Sequence, residues 1–289
     1  MVKDRSIAVV GLGAMGFPMS LRLMQAGFDV RGVDRDERTR KRFADAGGTA
    51  LTMSEAVRDA QALLLLIVNA EQAEDVLFGA DGAARMMPPG GVVLLSLTVS
   101  PQSAAKIGAR LADHDLRMVD SPVSGGVKRA ADGTLTILAS GPPTDVDAAR
   151  RFLAPLGNVH EIGPLHGQAS TVKLINQLLC GVHLAAAAEA VALAERAGVD
   201  PRMLHRVVTA SSGTSHIFAS RAPMMRGDDR QPTATIDILL KDLALVDALG
   251  TSVGARMPLA RTALDLFGEA SSQGSGARND YEIVQRFRS

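Results

Sequence analysis

The sequence predicts an α/β domain with a doubly wound, mostly parallel sheet, followed by an all-α domain. Three observations carry this. Short apolar, β-branched runs alternate with helical patterns through the first half. A glycine-rich loop, "VVGLGAMG", joins the first of these runs to the first helix. After "EIGPLHG" strand signals nearly vanish and helical patterns take over, so a boundary is expected near Pro164 to Gly167, dividing 1–165 from 166–289.

The elements follow in order. "SIAVVGLG" reads as a buried strand, since its apolar residues run without alternation before the glycines. "FPMSLRLMQAG" is a helix ending at Gly27. "DVRGVDR" is a strand, and "ERTRKRFADAG" a helix closed by Gly47. "ALLLLIVN" and "GVVLLSLT" are buried strands, with "IVNAEQAEDVLFG" read as the loop after the first of them. "SAAKIGARLADHD" is a helix, and "RMVDSPV" and "TLTILASG" are strands. One helical run of about 30 residues follows, from about 168 to 197, near 45 Å long. "PRMLHRVVTASS", "TATIDILLKDLALVDALG", "PLARTALDLFGEASSQG" and "DYEIVQRF" are further helices.

Composition narrows the function. The chain has 289 residues, enough for two domains, and 46% are hydrophobic. Aromatics are only 3%, so the cores are expected to be built from Ala, Leu, Val, Ile and Met. Basic and acidic residues balance at 31 each with no basic run, which argues against nucleic acid as a partner. Cys180 is the single cysteine, so no internal disulfide forms and a reducing, cytoplasmic setting is expected. "MVKDRSIAVVGLGAMGF" is expected not to be a signal peptide, because glycines interrupt its short apolar part. "VKLINQLLCGVHLAAAAEAVALA" is long enough to span a membrane. It carries Lys173, Asn176, Gln177, His183 and Glu189, so a buried helix of a soluble protein is expected instead. None of the six histidines is spaced as a metal pair, and no metal is expected.

The glycine loop points to a dinucleotide. Gly11, Gly13 and Gly16 follow a strand and open a helix, and Asp34 ends the next strand. Gly11 allows the tight turn, Gly13 lets backbone approach a pyrophosphate, and Gly16 lets helix pack on strand. The backbone of Gly11, Leu12, Gly13, Ala14, Met15 and Gly16 is therefore the expected phosphate cradle of a Rossmann-type domain. Asp34 can accept from both ribose hydroxyls and repels a 2′-phosphate, which favours NAD over NADP; Arg35 beside it tempers that preference. Val68, Asn69 and Thr98 follow the next two strands, at the carboxyl end where ligand lies, although ordinary loop chemistry explains each equally well.

Lysine is rare here: six residues against 25 arginines. Unlike arginine, lysine loses its proton when desolvated. Lys173, Asn176, Gln177 and Cys180 share one helix face at i, i+3, i+4 and i+7, a polar start to an apolar helix. The other reading is a solvated helix start with a snorkelling lysine.

"GLGAMGFPM", "DSPVSGG", "KLINQ" and "LLKDL" occur in that order, and together they resemble the β-hydroxyacid dehydrogenase family, which includes 3-hydroxyisobutyrate dehydrogenase. "KLINQLLCGVHLAAAAEAVALAERAGVDP" and "VNAEQAEDVLFG" look most like its L-threonate dehydrogenase branch. The resemblance implies NAD-dependent oxidation of a small hydroxy acid, with L-threonate or a related four-carbon sugar acid as substrate and Lys173 as general acid/base. It implies that Asn176 assists, and that Ser124, Gly125 and Gly126 hold the substrate carboxylate. It also implies that Lys241 reaches nicotinamide and substrate, although Asp237, four residues earlier, offers Lys241 a simple helical partner. Many members carry Asn-Asn where this chain has Asn176-Gln177, so Gln177 is a substrate-binding candidate whose role does not transfer directly. The alternatives are a 3-hydroxyisobutyrate dehydrogenase, a tartronate semialdehyde or glyoxylate-type reductase using NAD(P)H, and a non-catalytic dinucleotide-binding scaffold. Family likeness also implies a homodimer or homotetramer.

Overall fold

A computed structural model of the chain describes residues 5–228 and 232–288. It divides into two compact units, one ending at Lys173 and one beginning at Leu174, so the division falls inside the long helix.

The first unit is built on strands β1 (Ser6–Val10), β2 (Asp29–Val33), β3 (Thr49–Ala50), β4 (Ala62–Leu65), β5 (Val92–Leu95), β6 (Arg117–Asp120), β7 (Val123–Ser124), β8 (Leu135–Ser140) and β9 (Gly157–Gly163). Their order is β3-β2-β1-β4-β5-β6-β8-β7, with β9 also on β8. Pairing from β3 to β6 is parallel; β8 runs antiparallel to β6 and β7. Strand order reverses between β1 and β4, which creates the crevice where such sheets bind ligands.

The central strands read as unbroken apolar runs because both faces are covered. Ile7 and Val9 of β1 join Leu64 and Leu94 in one core, while Ala8 and Val10 join Leu63, Leu65 and Leu95 in the other. Helices α1 (Gly16–Gln25), α2 (Glu37–Asp45), α6 (Gly126–Asp132) and α7 (Pro143–Leu153) contribute to the first core. Helices α3 (Met53–Val57), α4 (Ala70–Phe78) and α5 (Pro101–Ala112) contribute to the second. The expected glycine closures hold: Gly27 and Gly47 follow α1 and α2 at φ +83° and +86°.

The segment expected as a loop after β4 is a correction. It forms α4, because Asn69 caps the helix by accepting from the Gln72 N–H at 2.9 Å. Helices α3, α6 and α7 and strands β3, β7 and β9 are also additions to the sequence reading. Most are short, and β9 leans on one neighbour and is half exposed.

The second unit contains most of α8 (Gln168–Arg196) and then α9 (Pro201–Thr209), α10 (His216–Arg226), α11 (Ile236–Ser252), α12 (Pro258–Ala270) and α13 (Gln285–Arg288). Helix α10 has no clear signal in the sequence, since Pro223 interrupts its pattern. Helix α12 stops at Ala270 rather than running on, and Gly274 at φ +82° turns the chain. "DYEIV" is a 3-10 turn, and only Gln285–Arg288 is α-helical. The core packs Leu184, Ala188 and Val191 of α8 against Leu239 and Leu243 of α11 and Phe267 of α12. Gly181 sits mid-helix at a cost of about 1 kcal/mol relative to alanine. A Cβ there would lie 2.7 Å from Leu243, so the glycine allows α8 and α11 to approach. Among the described residues one helix, α8, is long and apolar enough to cross a membrane, yet half of its most apolar window is buried within the protein.

Candidate active site

The cradle lies where the sheet order reverses. Gly11 has φ +94°, and a Cβ on it would stand 2.4 Å from the Leu66 carbonyl oxygen. A Cβ on Gly16 would stand 1.7 Å from the Gly11 oxygen, so this glycine fixes how closely α1 docks on the loop. Nothing lies within 4 Å of a Cβ on Gly13. Backbone there is open to an approaching group. The Leu12 N–H donates to Asp34 Oδ2 at 2.7 Å, and the Asp36 N–H to Asp34 Oδ1 at 2.9 Å. Asp34 thus ties the end of β2 to the glycine loop. Arg40 donates to the carbonyls of Asp34 and Arg35 at 2.8 and 3.0 Å, while the Arg35 side chain itself is exposed.

Helices α2, α3, α4 and α5 each have a side-chain cap, from Asp36, Thr52, Asn69 and Ser100. Helix α1 has none, and no acid in its first turn. The N–H groups opening α1, beside Gly13, Ala14 and Met15, are thus left for an anion at the crevice. A pocket of about 510 Å³ opens beside Asp34, lined further by Arg40, Leu51, Thr52, Met53 and Glu55. Its two carboxylates suit hydroxyls and disfavour a phosphate. The loop, the uncapped helix and this pocket fit a dinucleotide. Val68 is exposed with its N–H donated to Gln72 Oε1 at 3.1 Å, and Asn69 serves first as the α4 cap. Thr98 is half-buried after β5.

Ser124 ends β7, paired with Thr136 of β8. Gly125 and Gly126 follow at φ +139° and +73°, a backbone that side chains resist. A Cβ on Gly126 would meet nothing within 4 Å, so the space beside its Cα is open. The three residues form a turn with a hydroxyl and, at Gly126, open space beside the backbone, features an anion site can use; Gly125 is close-packed, a Cβ there lying 2.9 Å from Arg129.

Asp120, at the end of β6, is fully buried. Its Oδ2 accepts from the N–H groups of Gly167 (3.0 Å) and Ser170 (2.9 Å) and from the Ser140 hydroxyl (3.3 Å); its Oδ1 accepts from the Ser170 hydroxyl (2.8 Å). Ser140 also accepts from the Ala169 N–H at 2.9 Å. Asp120 and Ser140 together cap α8, Asp120 from a strand 50 residues before Ser170. Burial pushes the Asp120 carboxyl above its ordinary value, and the Ser170 and Gly167 amides and the two hydroxyls pull the other way. Lys173, one turn into the helix so anchored, is 7% exposed, which sets aside the reading of a solvated helix start. The sequence shows Asp120 within its motif but gives no sign of this role.

In the second unit, Gln177 Nε2 donates to Asp242 Oδ2 at 2.6 Å, and Lys241 Nζ to Asp242 Oδ1 at 2.6 Å. Asn176 Nδ2 donates to Gln177 Oε1 at 3.1 Å and to Cys180 Sγ at 3.5 Å. Lys241 therefore pairs with its neighbour Asp242. Asp237 accepts from the Ser271 hydroxyl at 2.6 Å. Among the described residues, no three His, Cys, Asp or Glu side chains gather as a metal site. His166 and His205 hold backbone carbonyls of Met118 and Ala219, each at 2.9 Å.

Two family models match. One, described as the NAD binding domain of 6-phosphogluconate dehydrogenase, covers residues 6–167; the other, described as NAD-binding of NADP-dependent 3-hydroxyisobutyrate dehydrogenase, covers residues 167–287. An L-threonate dehydrogenase of Cupriavidus necator is 45% identical, the match covering 98% of this chain and 96% of that one. An L-threonate dehydrogenase of Escherichia coli K12 is 40% identical, covering 97% and 94%. The crystal structure of a 3-hydroxyisobutyrate dehydrogenase from Salmonella typhimurium superimposes with a TM-score of 0.90 at 38% identity, covering 97% and 99%.

Proposed function

The chain belongs to the family of NAD-binding hydroxyacid dehydrogenases that includes 3-hydroxyisobutyrate dehydrogenase, and from that premise we propose that it oxidises L-threonate, or a related four-carbon sugar acid, at the 2-hydroxyl. It is an oxidoreductase acting on CH–OH groups with NAD. What carries the catalytic reading is Lys173: a buried lysine, in a chain that otherwise uses arginine, one turn past a helix start held by Asp120.

NAD held by the Gly11–Gly16 loop and Asp34 would supply the hydride acceptor for the carbinol carbon. The protein's own work is to move the hydroxyl proton and hold the acid still. Lys173 accepts that proton as its oxygen becomes a carbonyl, and returns it in the reverse direction. Lysine suits this because its amine, unlike a guanidinium, can give up and retake a proton. Asn176 holds the Lys173 amine in line with the hydroxyl. Ser124 and the amides of Gly125 and Gly126 anchor the carboxylate. Lys241 contributes positive charge toward substrate and nicotinamide, and Gln177 completes the polar face of α8.

The substrate rests on the two L-threonate dehydrogenases, each matched over nearly its full length. Likeness to the Salmonella 3-hydroxyisobutyrate dehydrogenase supports a second reading, 3-hydroxyisobutyrate, which needs the same carboxylate anchor and lysine. A panel of four-carbon sugar acids and short 3-hydroxy acids, assayed with NAD and with NADP, separates them. The greatest kcat/KM is expected for L-threonate with NAD; preference for a branched 3-hydroxy acid overturns the substrate assignment. Folded Lys173→Ala protein that keeps near-normal turnover overturns the role of Lys173.

Assembly into a homodimer or homotetramer is supported by the apolar side chains that α8 leaves exposed, Ile175, Leu179 and Leu193. The cytoplasm is the compartment that a lone cysteine and an NAD-dependent activity suit.

A further inference from the structure

We infer that Gln177 and Asp242 set the direction in which the Asn176 amide faces, so that Asn176 offers its carbonyl oxygen, not its amino group, to the Lys173 amine. The inference rests on the reading of Lys173 as the proton acceptor and of Asn176 as its companion.

Four groups form a hydrogen-bonded chain. Asp242 is 2% exposed and forms an ion pair with Lys241, so it can only accept. An amide facing it must present its NH2. Gln177 does so at 2.6 Å. That leaves Gln177 Oε1 on the other side, where it can only accept in turn, and it accepts from Asn176 Nδ2 at 3.1 Å. Cys180 Sγ takes the same amino group at 3.5 Å, one helical turn on. Asn176 therefore spends its donors inside the protein and presents an acceptor. A carbonyl oxygen there suits the Lys173 amine, three residues earlier on the same helix face. It accepts an amine N–H and leaves the amine lone pair to take the hydroxyl proton.

The length of Gln177 makes this possible. An asparagine at the same position is shorter by one carbon–carbon bond, about 1.5 Å, and falls out of hydrogen-bond reach of Asp242. Gln177 is thus a positioning residue that acts through Asn176. Gln177 bonds Asp242 of α11, which is itself paired with Lys241, and Asn176 of its own helix, and Lys173 lies one turn before it on the same helix face.

Steady-state kinetics with NAD and the preferred hydroxy acid test this on the full chain, with melting temperatures to confirm folding. Asn176→Ala comes first: near-normal turnover there overturns the reading of Asn176 itself. If Asn176→Ala is impaired, Gln177→Glu isolates the relay. The carboxylate it introduces cannot donate to Asp242, so kcat/KM at about pH 8 is expected to fall roughly 10–100-fold, the loss of a hydrogen bond to a charged group. Lowering the pH is expected to narrow the gap to wild type, because the introduced carboxyl, once protonated, again donates to Asp242 and accepts from Asn176. The double variant Gln177→Glu with Asp242→Asn is expected to recover most of the loss at fixed pH. The amide introduced at position 242 then donates, and the carboxylate at position 177 still accepts from Asn176. Wild-type kcat/KM in Gln177→Glu at every pH overturns the inference. So does a loss that neither acid nor the second substitution reverses. Should Gln177→Glu fail to fold, Gln177→Asn decides: folded protein with wild-type kcat/KM overturns the relay, and a loss of the same order supports it.

Discussion

The carboxylate of Asp120 accepts the backbone N–H of Ser170 at 2.9 Å, so the end of a central strand serves as the cap of the helix that carries Lys173. Capping groups normally sit in the residue just before the helix. Here the cap arrives from across the fold and fixes where the helix begins relative to the sheet. Small movements at such a point are expected to move Lys173.

Removing that acceptor is expected to cost more than changing its charge. Asp120→Ala leaves the Gly167 and Ser170 N–H groups and two hydroxyls without their acceptor, an expected loss of about 2–4 kcal/mol in unfolding free energy. Asp120→Asn can place its oxygen where Oδ2 takes three donors and its amino group toward the Ser170 hydroxyl. It is expected to stay within about 1 kcal/mol of wild type. Urea denaturation of both variants measures this. Equal losses in the two would show that charge, and not acceptor geometry, holds the helix start.

The same carboxyl gives stability a pH dependence of definite sign. Burial raises its folded pKa above the ordinary 3.8, so the folded state binds the proton more tightly than the unfolded chain. Its contribution is fully present below about pH 4 and is lost as pH rises through the folded value. Asp120→Asn lacks this titration. The stability of wild type relative to Asp120→Asn is therefore expected to fall between about pH 4 and the folded pKa, then level off. Other groups act in the opposite sense: the Arg288 guanidinium holds Glu195 below its ordinary value. The wild-type-minus-variant difference cancels them. A difference that rises with pH would mean the four hydrogen bonds outweigh desolvation.

Much of this is legible in the sequence, for reasons that can be named. Strands β1, β4 and β5 are buried on both faces, so their apolar runs need no partner to interpret. The glycine loop is legible because strand, loop, helix and Asp34 are contiguous. Asp120 and Asp242 are not, since each acquires its role from residues 50 and 65 positions away. Asn69 is the intermediate case. Its cap lies only three residues from Gln72, within reach of a capping pattern, but the acids around it and its place at a ligand-facing strand end suit a loop equally well.

The three glycines of the loop are expected to separate folding from binding. Gly16→Ala puts a methyl 1.7 Å from the Gly11 oxygen, which forces α1 away from the loop and is expected to destabilise by several kcal/mol, about 3 or more. Gly13→Ala meets no atom of the protein within 4 Å, and stability is expected within about 0.5 kcal/mol of wild type. Yet the methyl occupies the space a pyrophosphate needs. NAD affinity is expected to fall at least about tenfold, some 1.4 kcal/mol. Thermal melts with and without NAD check both halves. A Gly13→Ala protein that keeps the wild-type shift on adding NAD would move the phosphates elsewhere.

Asp34 carries two duties, and one variant distinguishes them. It holds the Leu12 N–H at 2.7 Å and faces the pocket that Glu55 also lines. Asp34→Ala removes the loop contact and the ribose acceptor together, and NAD binding is expected to weaken about 10–100-fold, the worth of a charge-assisted hydrogen bond. NADP binding is expected to weaken less or to improve, because the carboxylate that repels a 2′-phosphate is gone while Arg35, Arg38 and Arg40 remain nearby in sequence. The ratio of kcat/KM for NAD over NADP is the measurement, since loop damage lowers both values and cancels in it. That ratio is expected to drop by at least about tenfold; an unchanged ratio would leave Asp34 as a loop anchor only and assign cofactor choice to Glu55 and the arginines.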